Sequence, residues 1–234
     1  MQNTLFGGVE KIFSEAAHTY ELTNSVLTLG LDTFWRKRTA RMAAQWGGDK
    51  WLDVCTGTGE MAAYLRGSAK NKAMIVALDF CFPMLHQAIS KAKKNKISLC
   101  IGDAAKLPFS DNTFDLVTIS FATRNLNISR DILMQNFREF YRIIKPGGRF
   151  VNLETSQPLS DFWRKLFHLY VRLMVMSVGY LFSGSKAAYV YLSYTIPRFF
   201  SAKELSGIIY RAGFRKVSSS YFTFGIVAMH TALK

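Results

Sequence analysis

The 234-residue chain is short of acids, of cysteine and of long apolar runs, and each shortage excludes something. Its 16 Asp and Glu face 30 Lys and Arg, a formal charge of +14. This is not a disordered basic tail, because 49% of the residues are apolar and 14% aromatic, whereas disorder goes with low hydrophobicity and few aromatics. Cys55, Cys81 and Cys100 are odd in number and lack paired spacing, which argues against a disulfide scaffold. Four scattered histidines supply no local partner, so no metal site is expected. In the aromatic and aliphatic stretch 159–195 the longest uncharged run is Leu173–Ser185, short of the about 20 apolar residues of a spanning helix. Met1–Gly8 is short and uncharged, with Glu10 close behind, and does not read as a targeting segment.

The basic surplus asks for a polyanionic partner, nucleic acid or an anionic membrane surface, with solubility alone as the bland alternative. The length suits one α/β domain. No repeat or low-complexity stretch interrupts it. Residues 5–46 read as helical, with aromatic and basic residues interleaved. From Lys50 short apolar runs alternate with amphipathic helices, the pattern of a parallel sheet wound with helices. Strands are expected at 50–55, 73–79, 97–101, 114–120 and 149–154, with helices near 60–67, 83–95 and 130–145. Ser201 and Glu204 form a capping-box signature for a helix ending near Gly213. Two last strands, about 216–223 and 226–233, suggest an antiparallel hairpin at the sheet edge.

Chemistry is legible at the strand ends. The run WLDVC empties into TGTGE, so Asp53 is followed by Gly57-Thr58-Gly59. Gly57 permits unusual dihedrals, Gly59 lets a ligand approach the backbone, and Ala62 takes the third small position of a GxGxxA loop. Placed between strand and helix, the loop has the context that a nucleotide-type motif requires. Asp79 closes the next strand, where a carboxylate can accept from both ribose hydroxyls. A nicotinamide dinucleotide site would show the same two features. Asp53 tips the choice, since a carboxylate there suits an amino-acid ammonium better than a pyrophosphate. S-adenosylmethionine has that ammonium, a ribose and no phosphate. Asp103, after the third strand, could accept from the adenine amino group; alone it would read equally as a turn residue.

Four segments then carry a resemblance that covers essentially the whole chain: VEKIFSEAAHTYELTNSVLTLGLDTFWRK (9–37), GDAAKLPFSDNTFDLVTISFATRN (102–125), FREFYRIIKPGGRFVNLETSQP (137–158) and SAKELSGIIYRAGFRKVSSSYFTFGIVAMHTALK (201–234). The chain resembles the ubiquinone/menaquinone biosynthesis C-methyltransferases among class I S-adenosylmethionine-dependent methyltransferases. The resemblance implies an α/β fold, a Rossmann-like doubly wound seven-stranded sheet, mostly parallel with one antiparallel edge hairpin. It implies one methyltransferase domain over 1–234: a helical cap (1–46), a cofactor-binding core (47–158), a helical insertion (159–195) and a C-terminal helix with a strand pair (196–234). Carried over by position, Thr58, Asp79, Asp103, Ala104 and Ser120 are the cofactor contacts, and Asp53, Gly57 and Gly59 belong to the general loop. The chain departs from the family pattern at Cys55-Thr56, at Ala122-Thr123, at Tyr20-Glu21, in LETSQP, and in the lack of acids over 183–190.

The implied acceptor is a reduced prenylated quinone ring such as demethylmenaquinol. Arg124 could stabilise its phenolate electrostatically, Tyr20 could donate to a ring oxygen, and Asn125 could orient the acceptor or a water. Trp35 and the aromatics around Tyr189–Tyr194 are expected to wall an apolar pocket, with His18 and His230 as structural hydrogen-bonders. A nucleic-acid methyltransferase is disfavoured: SFATRN stands where base-amino enzymes carry an Asn/Asp-Pro-Pro-aromatic tetrapeptide, and no cysteine has the place of a pyrimidine nucleophile. An aminophospholipid acceptor and a non-catalytic membrane-bound scaffold remain as rivals. A lipophilic acceptor turns the charge towards a membrane. Basic groups at Arg36–Arg41, Lys91–Lys96, Arg164-Lys165, Arg172 and Arg215-Lys216 would hold a cytoplasmic protein on the inner membrane face. The resemblance leaves room for a homodimer.

Overall fold

The computed structural model describes residues 14, 15, 17–69, 73–175 and 186–234, without the side chains of 186–189. Met1–Gly8, most of Leu173–Ser185 and the Tyr189 side chain therefore lie outside the described residues. Two helices, α1 (Tyr20–Thr28) and α2 (Leu31–Ala44), precede the sheet. β1 (Lys50–Val54), α3 (Glu60–Ser68), β2 (Met74–Asp79), α4 (Phe82–Asn95), β3 (Ser98–Ile101) and β4 (Phe114–Ser120) follow in alternation. Then come the short helix α5 (Thr123–Leu126), α6 (Arg130–Ile143) and β5 (Ile144–Thr155). The remainder is α7 (Asp161–Tyr170) running into one wide turn (Val171–Val175), α8 (Lys186–Thr195), α9 (Ala202–Arg211), β6 (Arg215–Phe222) and β7 (Val227–Leu233).

The seven strands form one sheet in the order β3-β2-β1-β4-β5-β7-β6. β1 to β5 run parallel, and β7 is antiparallel to both neighbours, which leaves β6 at the edge as the hairpin pattern implied. β1 and β2 are buried except at their first residues, because helices cover both faces of a parallel sheet. One face packs Phe137 and Phe140 of α6, Phe150 of β5 and Phe214 after α9, with the Phe150 and Phe214 rings 5.2 Å apart and stacked. The other face packs Trp35 and Ala40 of α2 and Met61 and Leu65 of α3 against Trp51 and Ile75. Each such large side chain contributes about 2–3 kcal/mol by leaving water.

Two boundaries differ from the sequence reading. The helix expected over 130–145 stops at Ile143, because Pro146 disfavours helical backbone at Lys145, and Gly147 turns at φ +80°. β5 consequently starts earlier, with a register shift against β4 between Phe114 and Leu116. The capping box is formed: the Ser201 hydroxyl accepts from the Glu204 N–H at 3.3 Å, and Glu204 accepts from the Ser201 N–H at 2.8 Å. Among the described residues no helix is long and apolar enough to cross a membrane.

Candidate active site

The strand order reverses at β1 and β4, the position where open α/β sheets leave a crevice beyond their strand ends. Asp79, at the end of β2, ties the surrounding loops together. It is 6% exposed and accepts from the Gly57 N–H at 2.7 Å with one oxygen and from the Cys81 N–H at 2.9 Å with the other. Burial pushes its carboxyl above the usual range, and the N–H donors pull it back. Gly57 has φ +58°, and a Cβ there would meet nothing within 4 Å, so its backbone borders the open crevice. Gly59 has φ +81°, and a Cβ there would lie 3.1 Å from the Ala88 Cβ of α4. This corrects the reading of Gly59 as the point of ligand approach. Gly59 lets α3 begin and pack against α4, while Gly57 faces the space.

Asp53 lies fully buried behind this wall. Its two oxygens accept from the hydroxyls of Thr56 and Thr118, both at 2.6 Å. Desolvation pushes its pKa up to about 6 despite those two donors. The carboxylate thus braces the loop after β1 against β4, and the structure does not bring it to the crevice wall where an ammonium partner was expected.

The crevice has a volume of about 810 Å³ and is walled by Gly57, Thr58, Glu60, Asp79, Ser120 and Asn125, among others. Asn125 Oδ1 is buried without a hydrogen-bond partner among the described residues. Cys55 and Cys81 also contribute to the wall. Cys55 has φ +53°, and burial raises its thiol well above the usual range. Asp103 is exposed beyond β3, accepting from the Ala105 N–H at 2.9 Å, and Ala104 is buried in the core. Neither belongs to the crevice wall.

A second, larger cavity of about 1500 Å³ opens between α1, α2, α7, α8 and the β6–β7 connection. Its wall is dominated by apolar groups, including Leu27, Trp35, Leu166, Phe167, Val171 and Leu192. Trp35 is fixed there by its indole N–H, which donates to the Thr223 hydroxyl at 2.9 Å. Trp163 stacks on Phe224 at 4.1 Å, with both rings on the wall. Tyr194, expected in this wall, is instead 60% exposed. Tyr20, Arg36 and Phe121 line both spaces and so form the neck between them.

Arg124 faces the apolar cavity at 7% exposure. Its backbone N–H donates to Glu154 Oε2 at 3.0 Å, and Nη1 donates to the Thr155 hydroxyl at 3.2 Å and lies 3.6 Å from Glu154 Oε1. Its Nε is buried without a partner among the described residues. Tyr20 stands close enough to both arginines that each lowers its pKa, although burial keeps the phenol raised overall. His230 is buried, paired with Asn152 at 3.2 Å and the Ala202 carbonyl at 3.0 Å, and burial lowers its pKa to about 4. His18 meets Gln87 at 3.1 Å.

Of the supposed basic surface, one member is internal and another is half-buried and engaged. Arg36 is 5% exposed, and Lys91 donates to Glu21 and to the Thr58 carbonyl. Charge runs in sequence do not reveal which face of a helix a residue takes. Arg36, Glu60 and Glu154 were the residues missed as site members. Glu60 could have been found, since it follows the TGTG loop directly.

The profile of the ubiE/COQ5 methyltransferase family matches residues 1–234. The chain is 35% identical over 237 residues to demethylmenaquinone methyltransferases of Bacillus cereus and Bacillus anthracis, covering 100% of this chain and 98% of each relative. Among solved structures it is similar to a possible histamine N-methyltransferase of Thermotoga maritima, described as SAM-dependent, at TM-score 0.62 and 20% identity over 96% of this chain and 99% of that one. A SAM-dependent methyltransferase of Aquifex aeolicus matches at TM-score 0.57 and 20% identity, over 81% of this chain and 85% of that one.

Proposed function

The chain belongs to the ubiE/COQ5 methyltransferase family, and on that premise we propose that it transfers the methyl group of S-adenosylmethionine to a ring carbon of a reduced prenylated quinone. The acceptor is demethylmenaquinol, or its ubiquinone-pathway equivalent. The observation that carries this reading is the pairing of the two spaces. A crevice at the strand ends, the more polar of the two spaces, meets a larger and overwhelmingly apolar cavity through one neck made by Tyr20, Arg36 and Phe121. A charged nucleoside donor and a lipid-tailed acceptor call for such unlike compartments with a shared reacting zone.

The crevice residues fit the donor. Asp79 keeps lone pairs free beyond its two N–H donors and can accept from ribose hydroxyls. The unpartnered Asn125 Oδ1 needs a donor from a ligand or water. Thr58 and Ser120 offer hydroxyls on the same wall. Asp103 and Ala104 follow β3 outside the crevice wall, so their part in binding adenine rests on the family resemblance alone, and Asp53, Gly57 and Gly59 fix the loop. When bound, the donor supplies an activated methyl on its sulfonium.

The chain's own work is then alignment and charge. The ring carbon becomes nucleophilic as a neighbouring hydroxyl loses its proton, and the ring later sheds hydrogen to regain aromaticity. Arg124 holds a buried positive charge against the acceptor cavity, where it stabilises phenolate. Glu154 and Thr155 keep that guanidinium in place. Tyr20, at the neck, donates to a ring oxygen, and Asn125 orients the acceptor from the crevice side.

The same reading extends to the membrane. Phe162, Leu166, Leu169 and Leu173 recur along α7 and the following turn, all exposed, with Lys165 and Arg172 exposed between them. Exposed apolar groups interleaved with cations suit the interface of an anionic leaflet, and Leu166 also walls the acceptor cavity. The protein should therefore bind anionic vesicles, weaken as salt rises, and lose affinity in Lys165→Glu/Arg172→Glu. Vesicle binding indifferent to salt and to both substitutions would leave solubility as the only role of the charge.

The activity is tested with labelled S-adenosylmethionine offered together with a reduced demethylmenaquinone analogue, an aminophospholipid and bulk RNA. Label in the quinone is expected. Label in either of the others alone overturns the proposal.

A further inference from the structure

An α-amino acid end carries an ammonium and a carboxylate side by side, and a site that recognises it needs both opposite charges. Asp53, the acid that chain order suggests for the ammonium, is turned away and satisfied by Thr56 and Thr118. Two other charged side chains line the crevice, one at its neck and one beside it. Arg36 of α2 and Glu60, the first residue of α3, stand with Nη1 and Oε2 3.4 Å apart.

We infer that Arg36 and Glu60 form the receptor for the amino-acid end of the methyl donor, Arg36 for its carboxylate and Glu60 for its ammonium. This rests on the reading of the crevice as the donor site. Arg36 is the one cationic side chain on that wall among the described residues. It is held by Asp32 one turn earlier, at 2.7 Å, and Asp32 is itself anchored by the Thr28 hydroxyl at 3.0 Å. Its guanidinium also lies over the Phe121 ring, 4.9 Å from the centroid. These contacts fix the group before any ligand arrives.

Charge counting supports the pairing. Asp32 neutralises Arg36, which leaves Glu60 with one negative charge beyond what the pair compensates. Lys91 is not available to it in full, since it donates to Glu21 and the Thr58 carbonyl. Burial raises the Glu60 carboxyl, Glu21 and Asp32 add to this, and Arg36 and Lys91 only partly oppose it. The donor's net positive charge, ammonium and sulfonium against one carboxylate, would supply the missing cation, with the ammonium at Glu60. Asp79, the other acid on the wall, already accepts two backbone N–H groups and faces the ribose position.

The test compares ligands that differ only at that end. S-adenosylhomocysteine carries the amino-acid group, 5′-methylthioadenosine lacks it, and decarboxylated S-adenosylhomocysteine lacks the carboxylate alone. Calorimetry on Arg36→Gln and Glu60→Gln should show S-adenosylhomocysteine weakened about tenfold to a hundredfold, the usual range for losing one charged hydrogen bond. Methylthioadenosine should bind both variants within about twofold of the parent, which also reports an intact crevice. Decarboxylated S-adenosylhomocysteine should be weakened by Glu60→Gln and indifferent to Arg36→Gln. Parallel loss of all three ligands, or no loss of S-adenosylhomocysteine, overturns the inference. Arg36→Gln strands buried Asp32, so if it fails to fold, the half-buried Glu60→Gln decides alone. A parent protein that binds none of the three refutes the donor-site reading instead.

Discussion

Replacing Asp53 by Asn should stabilise the protein at neutral pH and alter its stability profile between about pH 4 and 6. The carboxylate is fully buried, and its pKa rises from 3.8 to about 6 because desolvation outweighs the Thr118 and Thr56 hydroxyl donors. A folded-state pKa above the unfolded one means that, in this window, the folded chain holds a proton the unfolded chain has released. Stability therefore falls as pH rises through the window, and the cost is complete above about 6. At about 1.4 kcal/mol per tenfold, the full cost is about 3 kcal/mol, of which about 2 kcal/mol accrues above pH 4.5. The asparagine removes the charge and keeps partners, because the Thr118 hydroxyl has the Leu52 carbonyl at 3.5 Å as a second acceptor. His230 acts with the opposite sign. Its pKa is lowered by burial to about 4, so the unfolded chain binds the extra proton and stability rises with pH from 4 to 6.5. Only the difference between variant and parent isolates Asp53. Urea unfolding of both proteins at pH 4.5 and 7.5 should show that difference moving in favour of the variant by about 2 kcal/mol. S-adenosylhomocysteine affinity should stay within a few-fold, since neither oxygen faces the crevice. Parallel pH profiles would refute the burial argument, and a collapse of affinity would put the carboxylate in contact with the donor.

Gly59→Ala should lower Tm more than Gly57→Ala: both suffer left-handed strain of about 1–2 kcal/mol, but only the former pushes into Ala88. At about 2–4 °C per kcal/mol for a chain of this size, scanning calorimetry separates them, and equal drops would show that α4 yields freely. Arg124→Met should leave S-adenosylhomocysteine affinity within about twofold while reducing turnover about a hundredfold. Its Tm should fall as well, because Glu154 is left charged and buried; normal turnover removes Arg124 from the chemistry. Leu192→Trp narrows the apolar cavity, so KM should rise several-fold for a long-tailed quinol but stay level for a short-chain analogue. Equal changes for both substrates would mean that the tail lies elsewhere.

Much of the architecture was readable residue by residue. The alternation from Lys50, the capping box at Ser201 and the late strand pair all depend on neighbours a few positions apart, and each element formed close to its expected bounds. The exceptions were local too. Pro146 ended α6 early, and the single-turn α5 was too short to leave a periodic trace. The family segments likewise identified the methyltransferase and its class I sheet from 1–234 alone.

The direction and burial of charged side chains were another matter. Arg36 reads as one member of a basic run, yet α2 turns it inward to Asp32 and Glu60 at the neck of two cavities. Asp53 reads as a ligand group, yet Thr118, from a strand 65 residues further on, takes one of its oxygens. Glu154 reads as one acid in LETSQP, yet it accepts the backbone N–H of Arg124. Hydrophobic period and backbone dihedrals are set by short-range sterics, so the chain itself determined its strands, its helices and its glycine loop. Whether a charge meets water, a ligand or a buried partner depends on the sum of distant segments packed around it, and that only the tertiary structure decided.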